Sequence, residues 1–155
     1  MNSPKLALAS DHAGSELKEQ LKKFLVEVGY SFDDLGVDGS EPVDYPDCAR
    51  LAAEKISSGE YERGILFCGS GVGMAIVANK FPKVRAVQVN DIYTAIMSRK
   101  HNDTNVLALA GRVTGNDLAK EIVKAWLETP FEGGRHERRL KKIEEIEKEI
   151  KRRKS

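Results

Sequence analysis

Short apolar runs alternate with stretches of helical periodicity along nearly the whole chain. Leu6 to Ala9 is the first run, and Leu17, Leu21, Phe24, Leu25 and Val28 then recur at the spacing that puts them on one helix face. Gly29 closes that helix, Ser31 to Leu35 supplies a second run, and Pro46-Asp47 opens a helix containing Leu51, Ala52 and Ile56. Ile65 to Phe67 is the third run, followed by Gly69, Gly71 and Gly73 and a short helix ending near Asn79. Arg85 to Val89 leads into a helix from Asp91, and Val106 to Ala110 into one beginning near Thr114. Leu140, Ile143, Ile146 and Ile150 share a face of a last helix over residues 137–153, a stripe that predicts packing on the domain or on a second subunit.

Five strand–helix units joined by short connections predict an α/β fold. Parallel strands must be covered on both faces, which gives a Rossmann-like three-layer α/β/α sandwich around a five-stranded parallel sheet, plus the C-terminal helix. The pattern reads as one domain over residues 1–155, a length that buries a core without covalent staples. Right-handed crossovers bring all five carboxyl ends to one edge, where ligands bind in such sheets. Strands one and three are expected to be neighbours, because the loops that follow them must meet.

Composition narrows the function classes. The chain is 41% hydrophobic and 32% charged with a formal net charge of +1, a globular balance. Residues 135–155 hold ten Lys/Arg against five Glu, leaving that segment at +5 and the remainder at −4. Glutamates interrupt the basic run and no aromatic residue interleaves with it, so it fits a solvated helix face and argues against a nucleic-acid arm. No apolar run is long enough to cross a membrane, and the apolar stretch before Asp11 is too short for a signal peptide. Two cysteines, Cys48 and Cys68, make no disulfide framework; a chemically used thiol suits a reducing compartment, and the expected location is the cytoplasm.

Polar chemistry gathers in the loops after the strands: Asp11-His12, then Cys68-Gly69-Ser70-Gly71-Val72-Gly73, then Gly111-Arg112. The alternating glycines let successive amides converge on an anion at the start of the next helix, although a tight packing turn has the same composition. No Gly-Lys-Ser/Thr follows, which excludes a Walker A loop. Cys68 directly precedes this cradle, where convergent amides would stabilise a thiolate; the competing reading is a small buried apolar residue. Cys48 has no such neighbours and reads as core. Asp11 fits a helix cap as well as a ligand contact, and His101 fits a dipole partner at a helix end. Arg112, Arg135 and Arg139 can grip a phosphate with the guanidinium fork.

Ser10-Asp11-His12-Ala13-Gly14, Asp44-Tyr45-Pro46-Asp47, Cys68 to Gly73, Arg99-Lys100-His101-Asn102 and Gly133-Gly134-Arg135-His136 together resemble the type B ribose-5-phosphate isomerases, in order and from Leu6 to about Ile150. The resemblance implies an aldose–ketose isomerase of the pentose phosphate pathway that interconverts ribose 5-phosphate and ribulose 5-phosphate without a cofactor or metal. It implies Cys68 as the base and His101 as the ring-opening group. It also implies that the amides of Gly69 to Gly73, Val72 included, hold the enediolate oxygens, with a hydroxyl contact from Ser70. It further implies sugar contacts from Asp11 and Asn102, phosphate contacts from His12, Arg112, Arg135 and Arg139, and a place for Tyr45 in the pocket wall. The site is expected to be shared between subunits of a homodimer, which can pair into a tetramer. One branch of the family uses a glutamate just after the glycine loop as base; that position here is Met74. Galactose-6-phosphate and allose-6-phosphate isomerases share the motifs and stay open as alternatives. So do a non-catalytic phosphate- or nucleotide-binding module, a thiol phosphatase, and a zinc site drawn from His12, Cys68, His101 and His136.

Overall fold

The computed structural model describes residues 3–39 and 41–154; the other residues of the expected domain, 1, 2, 40 and 155, lie outside the described residues. Five strands and six helices alternate: β1 Leu6–Ser10, α1 Ser15–Glu27, β2 Phe32–Asp34, α2 Tyr45–Ser57, β3 Arg63–Cys68 and α3 Val72–Ala78 come first. Then follow β4 Ala86–Gln88, α4 Ile92–Asn102, β5 Val106–Ala110, α5 Asn116–Glu128 and α6 Arg135–Arg153. The strands form one parallel sheet in the order β2-β1-β3-β5-β4, so strands one and three are neighbours as expected.

The two sheet faces differ in chemistry because side chains alternate along each strand. Leu6, Leu8, Ile65, Phe67, Leu107 and Leu109 point to one face and pack with Leu17, Leu21 and Leu25 of α1, Ala95 of α4 and Ile122, Val123 and Trp126 of α5. Ala7, Ala9, Leu66, Cys68, Val106 and Ala108 point to the other, against Ala49, Ala52, Ala53 and Ile56 of α2 and Met74, Ala75 and Ala78 of α3. The alanines let α2 and α3 lie close to the sheet: a Cβ added at Gly64 would stand 2.7 Å from the Ile56 side chain. The catalytically interesting Cys68 therefore ends on the small-residue face.

Several element boundaries depart from the sequence pattern. The edge strands β2 and β4 are three residues each, shorter than the apolar runs, because an edge strand has a partner on one side only. The fifth helix starts at Asn116 instead of near Thr114, and α6 starts at Arg135 instead of residue 137. Val28 lies at the C-cap of α1 and is exposed. Along α6 only His136 and Leu140 are buried; Ile143, Ile146 and Ile150 remain about half exposed, so the stripe is not covered by its own domain.

The contrast between the faces is open to test. Ala52→Leu overfills the small-residue face and is expected to destabilise the fold by about 1–3 kcal/mol, measured by urea unfolding. Stability equal to that of the wild-type chain would show that α2 has room to spare.

Candidate active site

The carboxyl ends of β1, β3 and β5 are adjacent, and their loops are tied to one another by backbone hydrogen bonds. The Asp11 amide donates to Phe67 O, Gly111 N–H donates to Cys68 O at 2.7 Å, and Arg112 N–H donates to Gly69 O at 3.1 Å. Gly14 fits against the end of β3 so closely that an added Cβ would lie 2.3 Å from the Phe67 carbonyl carbon. That contact requires glycine and draws the Asp11-His12 turn against the Cys68 loop.

Cys68 is buried at 4% exposure, and its Sγ accepts a hydrogen bond from the Gly71 amide at 3.1 Å. Gly71 has φ of 78°, a left-handed conformation that turns its N–H back onto the sulfur and caps α3. Val72 N–H donates to Ser70 Oγ at 3.3 Å, and Gln88 Nε2 donates to Ser70 O at 2.9 Å, which fixes the loop from the β4 side. Burial pushes the Cys48 thiol up, and the Asp11 and Asp47 carboxylates add to that, so Cys48 stays a protonated core residue as its sequence context suggests.

Around the sulfur stand the other groups of this edge. Asp11 is buried, and its Oδ1 accepts from Gly14 N–H at 3.0 Å: it caps the turn and still lines the site. His12 Nδ1 accepts from Val43 N–H at 3.2 Å, a bond that selects the tautomer with the ring proton on Nε2 and leaves Nε2 to donate to a ligand. The Tyr45 ring covers Gly73, its Cε2 2.5 Å from the point where a Cβ would stand. The Arg112 guanidinium lies over Gly69, Nη1 3.3 Å from the corresponding point there. Asp11, His12, Tyr45, Cys68, Gly69 to Gly73 and Arg112 are thus assembled within one chain.

His101, Asn102, Arg135 and Arg139 are not. The helix α4 begins at the carboxyl edge with Asp91 as its N-cap, and its eleven residues carry the chain about 16 Å to the opposite edge. There Asn105 O accepts from Gly64 N–H just before β5 begins. The start of α6 reaches the same place from the end of α5: Glu132 N–H donates to Lys100 O at 3.2 Å, and the His136 and His101 rings stack at 4.3 Å with 16° between their planes. Arg135 and Arg139 project there, exposed. The predicted residues therefore fall into two groups at opposite edges of the sheet.

The zinc set of His12, Cys68, His101 and His136 is broken by the same separation. Ligand atoms of His101, Glu132 and His136 do lie within 4.8 Å of one another. The two rings are stacked, however, and nitrogen lone pairs lie in the ring plane, so they run side by side instead of converging on a cation. Burial pushes His136 down, and His101 and Arg135 add to that, which favours a neutral ring under His101. Sequence reasoning named His136 only in a motif and as a zinc candidate and missed its stack on His101, and it missed Gln88, which carries no signal beyond its place at the end of a strand.

A model of the family described as Ribose/Galactose Isomerase matches residues 6–143. The chain is 49% identical over 143 residues to the ribose-5-phosphate isomerase B of Escherichia coli, covering 92% of this chain and 96% of that one. It superposes on the structure of Clostridium thermocellum ribose-5-phosphate isomerase B with a TM-score of 0.92 at 50% identity, covering 94% and 99% of the two chains. The Mycoplasma genitalium enzyme solved with bound ribulose-5-phosphate gives a TM-score of 0.91 at 39% identity, covering 96% and 99%.

Gly71→Ala is expected to cost about 1–3 kcal/mol, because alanine is strained in the left-handed region and its Cβ would meet the Leu109 backbone. A thermal melt within a degree of wild type would show that the loop reaches its shape without glycine.

Proposed function

The chain belongs to the ribose/galactose isomerase family, and we propose that it interconverts ribose 5-phosphate and ribulose 5-phosphate with Cys68 as the base. The relatives named ribose-5-phosphate isomerase B, and the one solved with ribulose-5-phosphate, support the pentose over other sugars. The open-chain aldose must lose a proton from C2, pass through an enediolate, and regain the proton at C1, leaving the ketone at C2. A base and an oxyanion cradle meet that need with no cofactor or metal. The observation that carries the reading is the hydrogen bond from the Gly71 amide to Cys68 Sγ. It holds the sulfur as an acceptor, the role of a base, beside the amides of Gly69 to Gly73 that can hold the enediolate oxygens.

Ser70 adds a hydroxyl and Tyr45 a wall. Asp11 and Asn102 contact the sugar, His12 donates through Nε2 to the phosphate, and Arg112, Arg135 and Arg139 grip it. Ribose 5-phosphate is mostly a closed ring in solution, and His101 serves to open it. His101, Asn102, Arg135 and Arg139 stand about one strand length, roughly 16 Å, from Cys68 in their own chain, so they serve the site of a partner. Two chains related by a twofold axis then make two equivalent sites, each with Cys68 from one subunit and His101 from the other. The exposed Ile143, Ile146 and Ile150 of α6 supply an apolar stripe for that homodimer, and two dimers can pair as a tetramer. We read the chain as a single isomerase domain. Both cysteines are free, which fits the cytoplasm, and among the described residues no helix is long and apolar enough to cross a membrane.

The shared site has a consequence that a site within one chain does not. Cys68→Ala and His101→Asn are each expected to be nearly inactive, with binding of a phosphorylated sugar acid retained in Cys68→Ala. Refolded together, the two variants should regain roughly a quarter of wild-type activity, because mixed dimers hold one site with both groups intact. No recovery in proven mixed dimers would put both groups in one chain's site, and substantial turnover by Cys68→Ala alone would remove the thiol as base.

The family description names galactose as well as ribose, which supports galactose 6-phosphate as the alternative substrate, and allose 6-phosphate is the other six-carbon candidate. In a panel of the three sugar phosphates, kcat/KM is expected to be highest for ribose 5-phosphate. A higher value with a six-carbon substrate would transfer the assignment.

A further inference from the structure

Lys18 is a lysine with no exposed surface, and burying an ammonium costs several kcal/mol unless good partners surround it. Its Nζ donates to Asp34 Oδ1 at 2.8 Å and to the Val37 carbonyl at 2.9 Å. Asp34 in turn accepts from Lys22 Nζ at 2.8 Å and from the Gly36 amide at 3.0 Å. Burial pushes the Asp34 carboxyl up, but the bonds from Lys18, Lys22 and Gly36 overcome it and hold it below the ordinary carboxylate range. Ser10 clasps the same segment from β1: its N–H donates to Gly36 O, its carbonyl accepts from Val37 N–H, and its hydroxyl reaches Val37 O.

Everything pinned here lies at the root of one loop. From Val37 the chain runs past Gly39, whose amide meets Ser15 Oγ at 3.4 Å, to Val43, whose amide fixes the His12 ring. Two residues on, Tyr45 lays its ring on Gly73. Among its described residues the segment between β2 and α2 carries no helix or strand, and it holds one wall of the site. A surface loop needs no buried charge for its own sake. We propose that Lys18 is a positioning residue: by holding the Val37 carbonyl through the Asp34 pair, it keeps the loop where Val43 sets the His12 tautomer and Tyr45 covers the cradle.

The inference rests on the reading that His12 and Tyr45 face the substrate, and its test separates the two. The variants are Lys18→Met, which removes the donor, and Lys18→Met/Asp34→Leu, which also removes the carboxylate and so leaves no uncompensated buried charge. Both are made in the full chain and checked by thermal melting. In the wild-type protein, nitrogen-15 correlation spectra should show His12 with its proton on Nε2. In the folded double variant His12 should populate both tautomers, and KM for ribose 5-phosphate should rise about tenfold, the equivalent of one lost hydrogen bond, with a much smaller change in kcat. A folded variant with the wild-type tautomer and KM would reduce Lys18 to a purely structural role. A wild-type His12 protonated on Nδ1 would overturn the proposal even if neither variant folds. Absence of isomerase turnover in the wild-type chain, with the tautomer shift intact, would instead count against the substrate reading.

Discussion

Strand direction governs where chemistry can meet in this molecule. All five strands run the same way, so each helix must return the chain to the amino edge before the next strand begins. A residue just after a strand and a residue just before one can therefore never meet within a chain, however close in sequence. Asp11, Cys68 and Gly111 follow strands and share one edge, tied by the bonds from Asp11 N–H to Phe67 O and from Gly111 N–H to Cys68 O. His101 sits five residues before β5, and Arg135 follows the descending α5, so both reach the other edge. The division of the proposed site between two subunits is a consequence of this topology and needs no special device.

The difference between the two sheet faces serves the same end. Leucine, phenylalanine and tryptophan on the α1/α5 face supply most of the large apolar area, and Trp126 also gives its indole N–H to Thr104 Oγ1 at 2.9 Å. The alanine-rich face brings α2 and α3 near the strands instead. Closeness there decides the geometry of the cradle, because α3 begins at Val72, four residues after Cys68. It also lets Tyr45, the first residue of α2, reach Gly73 on α3. The larger face is fit for stability and the smaller one for placing backbone amides beside a thiol.

Most of this architecture was legible in the chain. Alternating apolar runs and helical spacing gave the five strand–helix units, and the Cys68 loop announced itself through glycine placement, since few sequences other than a sharp turn need glycine at Gly69, Gly71 and Gly73. What stayed hidden depended on contacts between distant segments. Lys18 looks like a solvated residue beside Leu17 and Glu19, yet it faces Asp34 and Val37 across the sheet end. The bond from Val43 to His12 spans 31 residues, and the His101–His136 stack joins two helices with no shared pattern. The stripe on α6 was legible as apolar but not as uncovered, because periodicity reports which side chains share a face and not what lies opposite.

Charge distribution bears on how the two half-sites would come together. The segment 135–155 carries +5 and the rest of the chain −4, so a net charge near zero hides a strongly divided molecule. In the proposed dimer the basic start of α6, with exposed Arg135 and Arg139, approaches the partner's carboxyl edge, the edge at which Asp44 and Asp47 are exposed. Opposite charges on the two surfaces favour that pairing over like-to-like contact and fix its register, while the isoleucine stripe supplies burial. In that proposed arrangement one cluster of guanidinium groups serves both the subunit contact and the grip on the phosphate.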